Sequence, residues 1–363
     1  MHHRAIRTLE GILSPHVRLG KSRMETLCLL VVGMVGARTV NLGHIATTRG
    51  GTALPASTYR RLQRFFQHVR LDPDWAVPML AAMIGADRWI LALDRTNWKI
   101  GRTEVNLLVL AAVTRRLRVP LFWVPLPRGG NSATGDRIAL MRRYLAQFEA
   151  STIRILLADR EFVGTEWLKF LNDNNIPFAI RIRENLRVTD EAGRELPLYA
   201  RLRRARRTRT FTARMGTRDE ADRADTPRLT FAAKRLTGEW LIVVTNQPAR
   251  TGLDAYRKRW AIECLFGDAK TRGLNLEDTR LTDPRKLDLL MAIVALALAW
   301  AGRAAVTLLG NRAPARKTHG YLSRSWFRTG FDHLRHCFAT GNTEAALSPW
   351  RRLLKRPLSK GVV

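Results

Sequence analysis

Two apolar runs end in an aspartate: WILALD at 89–94 and TIRILLAD at 152–159. Each is short and almost continuously apolar, as a strand buried on both faces of a sheet must be. The surrounding pattern of 86–185 is regular. VNLLVLAAV (105–113) and VPLFWVPL (119–126) read as two more strands, joined by polar turns at Gly101 and Arg102 and at 115–118. GDRIALMRRYLAQF (135–148) and GTEWLKFLNDNN (164–175) have helical phase, and PFAIRIR (177–183) is a fifth strand. The order βββαβαβ restricts the chain to an α/β architecture. It also sets one acid at each of two strand ends, which is where sites form in α/β sheets.

A third acid lies on YRKRWAIECLFGDAK (256–270), which predicts one continuous helix. At about 100° per residue, Tyr256, Arg259, Glu263 and Lys270 fall within an arc of roughly 60°. Ile262, Leu265, Phe266 and Ala269 supply the apolar side. A carboxylate in a row with two cations and a phenol suits a site that holds a metal ion and a phosphate chain. The competing reading is a solvated helix face with an ordinary salt bridge, and the acids at the two strand ends weigh against it. Asp94, Asp159 and Glu263 together are the oxygen-ligand set that Mg²⁺ takes, completed by waters and substrate phosphates. Asp268 lies off the arc and is not expected to join them.

The spacing Tyr-x2-Arg-x3-Glu-x6-Lys, with LALDRTNW (91–98) and LLADREFVGTEWLKFLNDNNIPFAIRIREN (156–185), resembles the DDE transposases of insertion-sequence family four, which are bacterial cut-and-paste enzymes. Glu161 departs from the glycine that many members carry there. The resemblance implies a ribonuclease-H-like catalytic core with a β-rich insertion, in which the first and fourth strands are neighbours and Asp94 and Asp159 lie side by side. It implies two Mg²⁺ ions, with Mn²⁺ as a substitute, held by Asp94, Asp159 and Glu263. One ion would activate water or a 3′-hydroxyl and the other would stabilise the leaving oxygen. By the same resemblance, Arg259 and Lys270 hold phosphates of the transposon end and Tyr256 hydrogen-bonds a phosphate near the cut. Trp240 would stack on a flipped base, with a core position as its alternative. The implied partners are double-stranded DNA, as terminal inverted repeats and target, and a second copy of the chain; excision would run through hairpin ends. A metal-dependent nuclease without strand transfer and a non-catalytic DNA-binding relative remain open.

Charge points to the same class of partner. The chain has 62 Lys and Arg against 31 Asp and Glu, a net +31. Self-repulsion on that scale is offset by a polyanion, with nucleic acid ahead of an anionic membrane surface. Cys28, Cys264 and Cys337 are an odd set with no C-x-x-C pair. They argue against a disulfide framework or a zinc finger and for a reducing compartment, which the resemblance implies is the bacterial cytoplasm and its nucleoid. No secretory signal is evident at the start of the sequence. The apolar run LLMAIVALALAWAG (289–302) is shorter than the roughly 18 residues a membrane span needs and reads as a buried core helix.

Residues 1–85 are expected to form a helical domain that binds DNA ends. Ser22 with Glu25 fits a capping box, and Ser57 reads as the cap of STYRRLQRFFQHV (57–69). With NLGHIATT (41–48), that segment fits a helix-turn-helix whose second helix carries Arg60, Arg61 and Arg64 to DNA. The core then divides into 86–185 and 251–310, with the insertion at 186–250 between them. The insertion is rich in arginine (Arg201, Arg203, Arg204, Arg206, Arg207, Arg209), which favours a DNA-phosphate surface. Its strands are expected at 209–215, 228–236 and 239–246, the first two separated by an acidic hairpin loop at 219–225. Residues 311–363 are basic and helical over 323–338. His333, His336 and Cys337 are close in sequence there; the histidine pair lacks a third ligand of clear spacing and reads as structural. The tail 354–363 is expected to be mobile.

Overall fold

A computed structural model describes residues 2–114, 116–127, 129–203, 207–223, 225–318, 320–351 and 353. Arg115, Arg204, Arg206 and the tail 354–363 lie outside the described residues.

Five helices come first: α1 (His2–Leu13), α2 (Lys21–Ala37), α3 (Leu42–Thr47), α4 (Pro55–His68) and α5 (Val77–Ile84). α2 is apolar on every side and its middle is fully buried, as a central helix must be. Two expected caps differ. α2 starts after Gly20 with no side-chain cap, and Glu25 binds Arg49 and Arg61 instead. α4 starts at Pro55, whose fixed φ suits a first turn, so Ser57 lies inside the helix.

The sheet follows. β1 (Trp89–Ile100), β2 (Thr103–Val113) and β3 (Arg118–Pro125) form an antiparallel meander. Then come α6 (Thr134–Leu145), β4 (Ile153–Ala158), α7 (Thr165–Asp173) and β5 (Phe178–Ile182). β4 lies parallel to β1, and β5 parallel to β4. The resulting order β3-β2-β1-β4-β5 is that of a ribonuclease-H-like core. The run from Val105 to Val113 is buried without a break because both faces of the sheet are covered.

The insertion contributes β6 (Arg187–Thr189), β7 (Glu195–Pro197), α8 (Leu198–Leu202), β8 (Thr208–Met215), α9 (Arg218–Arg223), β9 (Leu229–Arg235) and β10 (Trp240–Thr245). The stretch between β8 and β9 contains the short helix α9 where a simple hairpin loop was expected. β10 pairs with β5, so the inserted strands extend the core sheet to ten strands instead of forming a separate one.

α10 (Ala249–Tyr256) and α11 (Trp260–Ala269) return to the core, followed by α12 (Pro284–Leu309), α13 (Trp326–Thr340) and α14 (Thr343–Leu347). Among the described residues, α12 is the one helix long and apolar enough to cross a membrane. It lies inside the protein, with 94% of its most apolar window buried. α13 crosses it closely at Gly330, where an added Cβ would fall 1.8 Å from the Ala301 carbonyl oxygen. Cys337 Sγ lies 3.5 Å from His333 Nε2 within α13, an ordinary one-turn contact.

Candidate active site

Sheet register brings the two aspartates together. Leu93 pairs with Ala158 on the last rung of the parallel β1–β4 ladder, so Asp94 and Asp159 are the next pair along. Side chains alternate along a strand, and Asp159 therefore shares a face with Ile155 and Leu157. That face packs under α10 through Ala255 and Tyr256. β1 differs from expectation, because it does not end at Asp94 but runs on to Ile100 as one arm of the β1–β2 hairpin. What ends there is the parallel pairing, since β4 stops at Ala158.

The two carboxylates are held in the same way. Asp94 Oδ1 accepts the Arg95 backbone N–H at 2.8 Å, and Asp159 Oδ1 accepts that of Arg160 at 2.8 Å. Each Oδ2 faces Arg259: Nη1 is 3.2 Å from Asp94 Oδ2, and Nη2 is 3.9 Å from Asp159 Oδ2. Nη2 also donates to Glu263 Oε1. One guanidinium thus touches all three acids, which are far apart in the chain.

The stretch 256–270 is not the single helix its phase predicts. α10 ends at Tyr256, a 3-10 turn spans Arg257–Arg259, and α11 runs from Trp260 to Ala269. In a 3-10 turn residues three apart eclipse, which aligns Tyr256 with Arg259. Arg259 and Glu263 are then one α-turn apart. The Tyr256 hydroxyl donates to Asp159 Oδ1 at 3.2 Å. Lys270 is left out of this row. It follows the end of α11, and its ammonium binds the Asn97 carbonyl at 2.8 Å and Glu277 at 2.9 Å.

Burial pushes the Asp94 carboxyl up to about 6; the Arg95 amide and Arg259 pull it down, and Glu161 and Asp159 push it further up. Burial alone would lower the Arg259 guanidinium, yet Tyr256, Asp159, Asp94 and Glu263 around it raise it, so it stays a cation. Burial and the Asp159 charge push the Tyr256 phenol up, which keeps its proton in place for donation. Asp268 faces the other way, 4% exposed and 3.6 Å from Arg118.

The donors fit a hard divalent cation by type, being three carboxylates, with Asp94 and Asp159 half-buried and Glu263 exposed. They are spread around Arg259 and not closed on one another. Among the described residues no three His, Cys, Asp or Glu side chains stand close enough to hold a metal ion. The guanidinium supplies the positive charge that the acids need, and a metal ion would have to displace it.

The DNA-facing candidates separate into two groups. Arg60 and Arg64 are exposed on α4, with Gln63 and Gln67 on the same face. A groove of about 640 Å³ runs between that face and Arg280 and Lys286. Arg61 points inward, donating to Glu25, Thr26 and the Ser22 carbonyl. Trp240 starts β10 at the sheet edge where β4 and β5 end. It packs partly on the core with the Arg235 guanidinium 5.2 Å from its ring centroid. In the insertion, Arg203, Arg207 and Arg209 are exposed, whereas Arg201 is bound to Asp190.

Sequence reasoning passed over Trp260, Arg181 and Arg95. Trp260 is 64% exposed on α11, on the side that carries Cys264 and Asp268 and not the triad. Arg181 reaches Glu239 at 2.6 Å, and its charge acts on Tyr256. Arg95 binds Glu161. Neither of the last two has a sequence signal, because their partners lie on distant segments.

The transposase DDE domain family model matches residues 85–300, more than half of the chain. The protein belongs to the transposase DDE domain family. This transposase has no match among curated proteins. Among solved structures it is similar to the piggyBac transposase synaptic complex with hairpin DNA, at 11% identity and a TM-score of 0.46. That likeness covers 99% of this chain and 79% of the other, and at such a level it assigns no residue a role.

Proposed function

We propose that this transposase cuts the ends of a mobile DNA element and joins them to target DNA by phosphoryl transfer at Asp94, Asp159 and Glu263. The observation that carries the reading is the convergence of those three side chains on the single guanidinium of Arg259. Three acids gathered around one guanidinium support a cation-binding role, and membership of the family supports the reaction.

Mg²⁺ is the proposed cofactor, as two ions held by Asp94, Asp159 and Glu263, with Mn²⁺ able to replace it. When bound, such ions activate the attacking oxygen and stabilise the leaving one. The protein's own part is positional. Tyr256 fixes Asp159, the Arg95 and Arg160 amides orient the two aspartates, and Arg259 balances the acids in place of a metal ion. Arg259, once released, is then free to hold a phosphate of the transposon end. Lys270 holds the loop that follows α11 and reaches DNA only if its bonds to Asn97 and Glu277 open.

Double-stranded DNA is the proposed partner, gripped by Arg60 and Arg64 on α4 as part of an end-binding region at 1–85, with the insertion at 186–250 beside the site. Trp240 is proposed to stack on an unpaired base. Two ends must be joined, which makes a homodimer the working assembly; hairpin-ended excision in the bacterial cytoplasm completes the reading, with kinship to insertion-sequence family four. The test supplies a DNA end, a target plasmid and Mg²⁺. Cleavage and joined product are expected from wild type, and neither from Glu263→Gln with DNA binding retained. Cleavage without joined product, given a pre-cut end, would reduce the protein to a nuclease.

A further inference from the structure

Beside the triad lies a second ionic group that the reaction does not consume. Arg95 follows Asp94 directly, and Glu161 stands two residues after Asp159. Arg95 Nε donates to Glu161 Oε1 at 2.5 Å and Nη2 to Oε2 at 2.8 Å, a forked pair that occupies both carboxylate oxygens. The remaining donors go to Asn106 Oδ1 at 3.4 Å, to the Gly130 carbonyl and to Asn131 Oδ1 at 3.3 Å. All five N–H groups of the guanidinium are thereby used.

A second arginine ties the same two segments. Arg137, 5% exposed, donates to the Ser132 hydroxyl at 3.0 Å and carbonyl at 2.6 Å. It also donates to the Glu161 carbonyl at 3.1 Å and the Val163 carbonyl at 3.2 Å. The segment after β4 is therefore stitched to residues 130–132 and, through Arg95, to β1.

The site has a mechanical reason to need this. The parallel ladder ends at Leu93–Ala158, so Asp159 stands one residue beyond the last rung. β1 stays rigid there because β2 continues beside it, but the chain after Ala158 has left the sheet. Each aspartate is bonded to the amide of its own next residue, so the peptide planes at 94–95 and 159–160 set where the carboxylates point.

We infer that the Arg95–Glu161 pair is a positioning clamp, which holds the peptide after Asp159 against the peptide after Asp94 so that both Oδ2 atoms face one point. This inference rests on the proposed reading of Asp94 and Asp159 as a cation site.

The test compares full-length wild type with Glu161→Gln, Arg95→Gln, the double variant and Arg95→Lys. Cleavage of a DNA end is measured at saturating DNA across a Mn²⁺ titration, together with end binding and thermal melting. Misplacing one acid by a fraction of an ångström should slow cleavage by about tenfold to a hundredfold. The Mn²⁺ requirement should rise, while end binding stays within about twofold, as expected when only the reacting geometry is disturbed. The double variant should be no worse than the poorer single variant, since the two residues act as one unit. Arg95→Lys, which keeps charge without the fork, should recover part of the rate. Single variants that cut like wild type at every Mn²⁺ concentration overturn the clamp, as do losses that multiply in the double variant or that follow the folded fraction alone. An inert wild type overturns the reading of the aspartates, and the clamp falls with it.

Discussion

Arg259 and Glu263 stand one helical turn apart, with the guanidinium of the first against the carboxylate of the second and its other arm on Asp94. Arg259 acts there as an internal counter-ion. Arg259→Ala should leave three acids without their cation, and a divalent ion should then stabilise the variant more than it stabilises wild type. A tenfold tighter site is worth about 1.4 kcal/mol, which adds to the melting temperature at saturating Mn²⁺. Melting curves with and without Mn²⁺ check this; an equal gain in both proteins would show that the guanidinium does not compete with the ion.

Cleavage should depend on pH through Asp94. Burial pushes its carboxyl up to about 6, and the charged form is the one that binds a cation. Without an ion Asp94 holds a proton below that pH, so at low Mn²⁺ the rate should rise as pH increases towards about 6, and the midpoint should fall as Mn²⁺ is raised because the ion competes with the proton. A rate profile from pH 5 to 8 at saturating DNA measures it. In Asp94→Asn the rate should be lost at every pH.

Asp268 offers a stability measurement that is independent of activity. Its carboxyl is also pushed up to about 6 by burial, with Arg118 and Arg272 pulling the other way. A folded-state value above the unfolded one means the native protein binds the proton more tightly. The stability from this group is full below the unfolded value near 4 and lost as pH rises through about 6. Relative to wild type, Asp268→Asn should therefore gain of order 2 kcal/mol between pH 4 and pH 7.5. Denaturant unfolding at the two pH values reads the difference.

The arginines of α4 should behave differently from one another. Arg60→Ala and Arg64→Ala should each weaken end binding and lower the salt dependence by about one counter-ion. Arg61→Ala should leave the salt slope unchanged and destabilise the fold by about 1–3 kcal/mol, because it removes charged hydrogen bonds to α2. Binding isotherms at several salt concentrations separate the two effects.

Gly330→Ala should disturb the crossing of α12 and α13. The new Cβ would meet the Ala301 carbonyl oxygen at 1.8 Å, and the atom it meets is backbone that cannot rotate away. A loss of about 3 kcal/mol is expected from forcing the helices apart. Thermal melting of the variant beside Gly11→Ala, where nothing lies near the glycine, isolates the steric cost.

Much of the core was legible. The strands at 89–126, 153–158 and 178–182 announced themselves as continuous apolar runs, because a strand covered on both faces cannot afford polar residues. The acids at 94 and 159 stood out against those runs for the same reason. Lys270 was misplaced because helical phase assumes one uninterrupted helix, whereas the chain takes a 3-10 turn at Arg257–Arg259 that aligns Tyr256 with Arg259. Arg61 differs from Arg60 and Arg64 in its bonds to α2, which helical phase does not reveal, because an arginine's direction depends on what lies across from it, here Glu25 on another helix.

By itself, the sequence determined which segments become strands and helices in the core and which acids interrupt the apolar pattern, since those are properties of neighbouring residues along the chain. Only the tertiary structure decided that β10 lies against β5, that Arg259 reaches all three acids, and that Arg95 closes on Glu161. Each of these is a meeting of groups from separate segments, and its geometry depends on how the whole sheet and its covering helices pack.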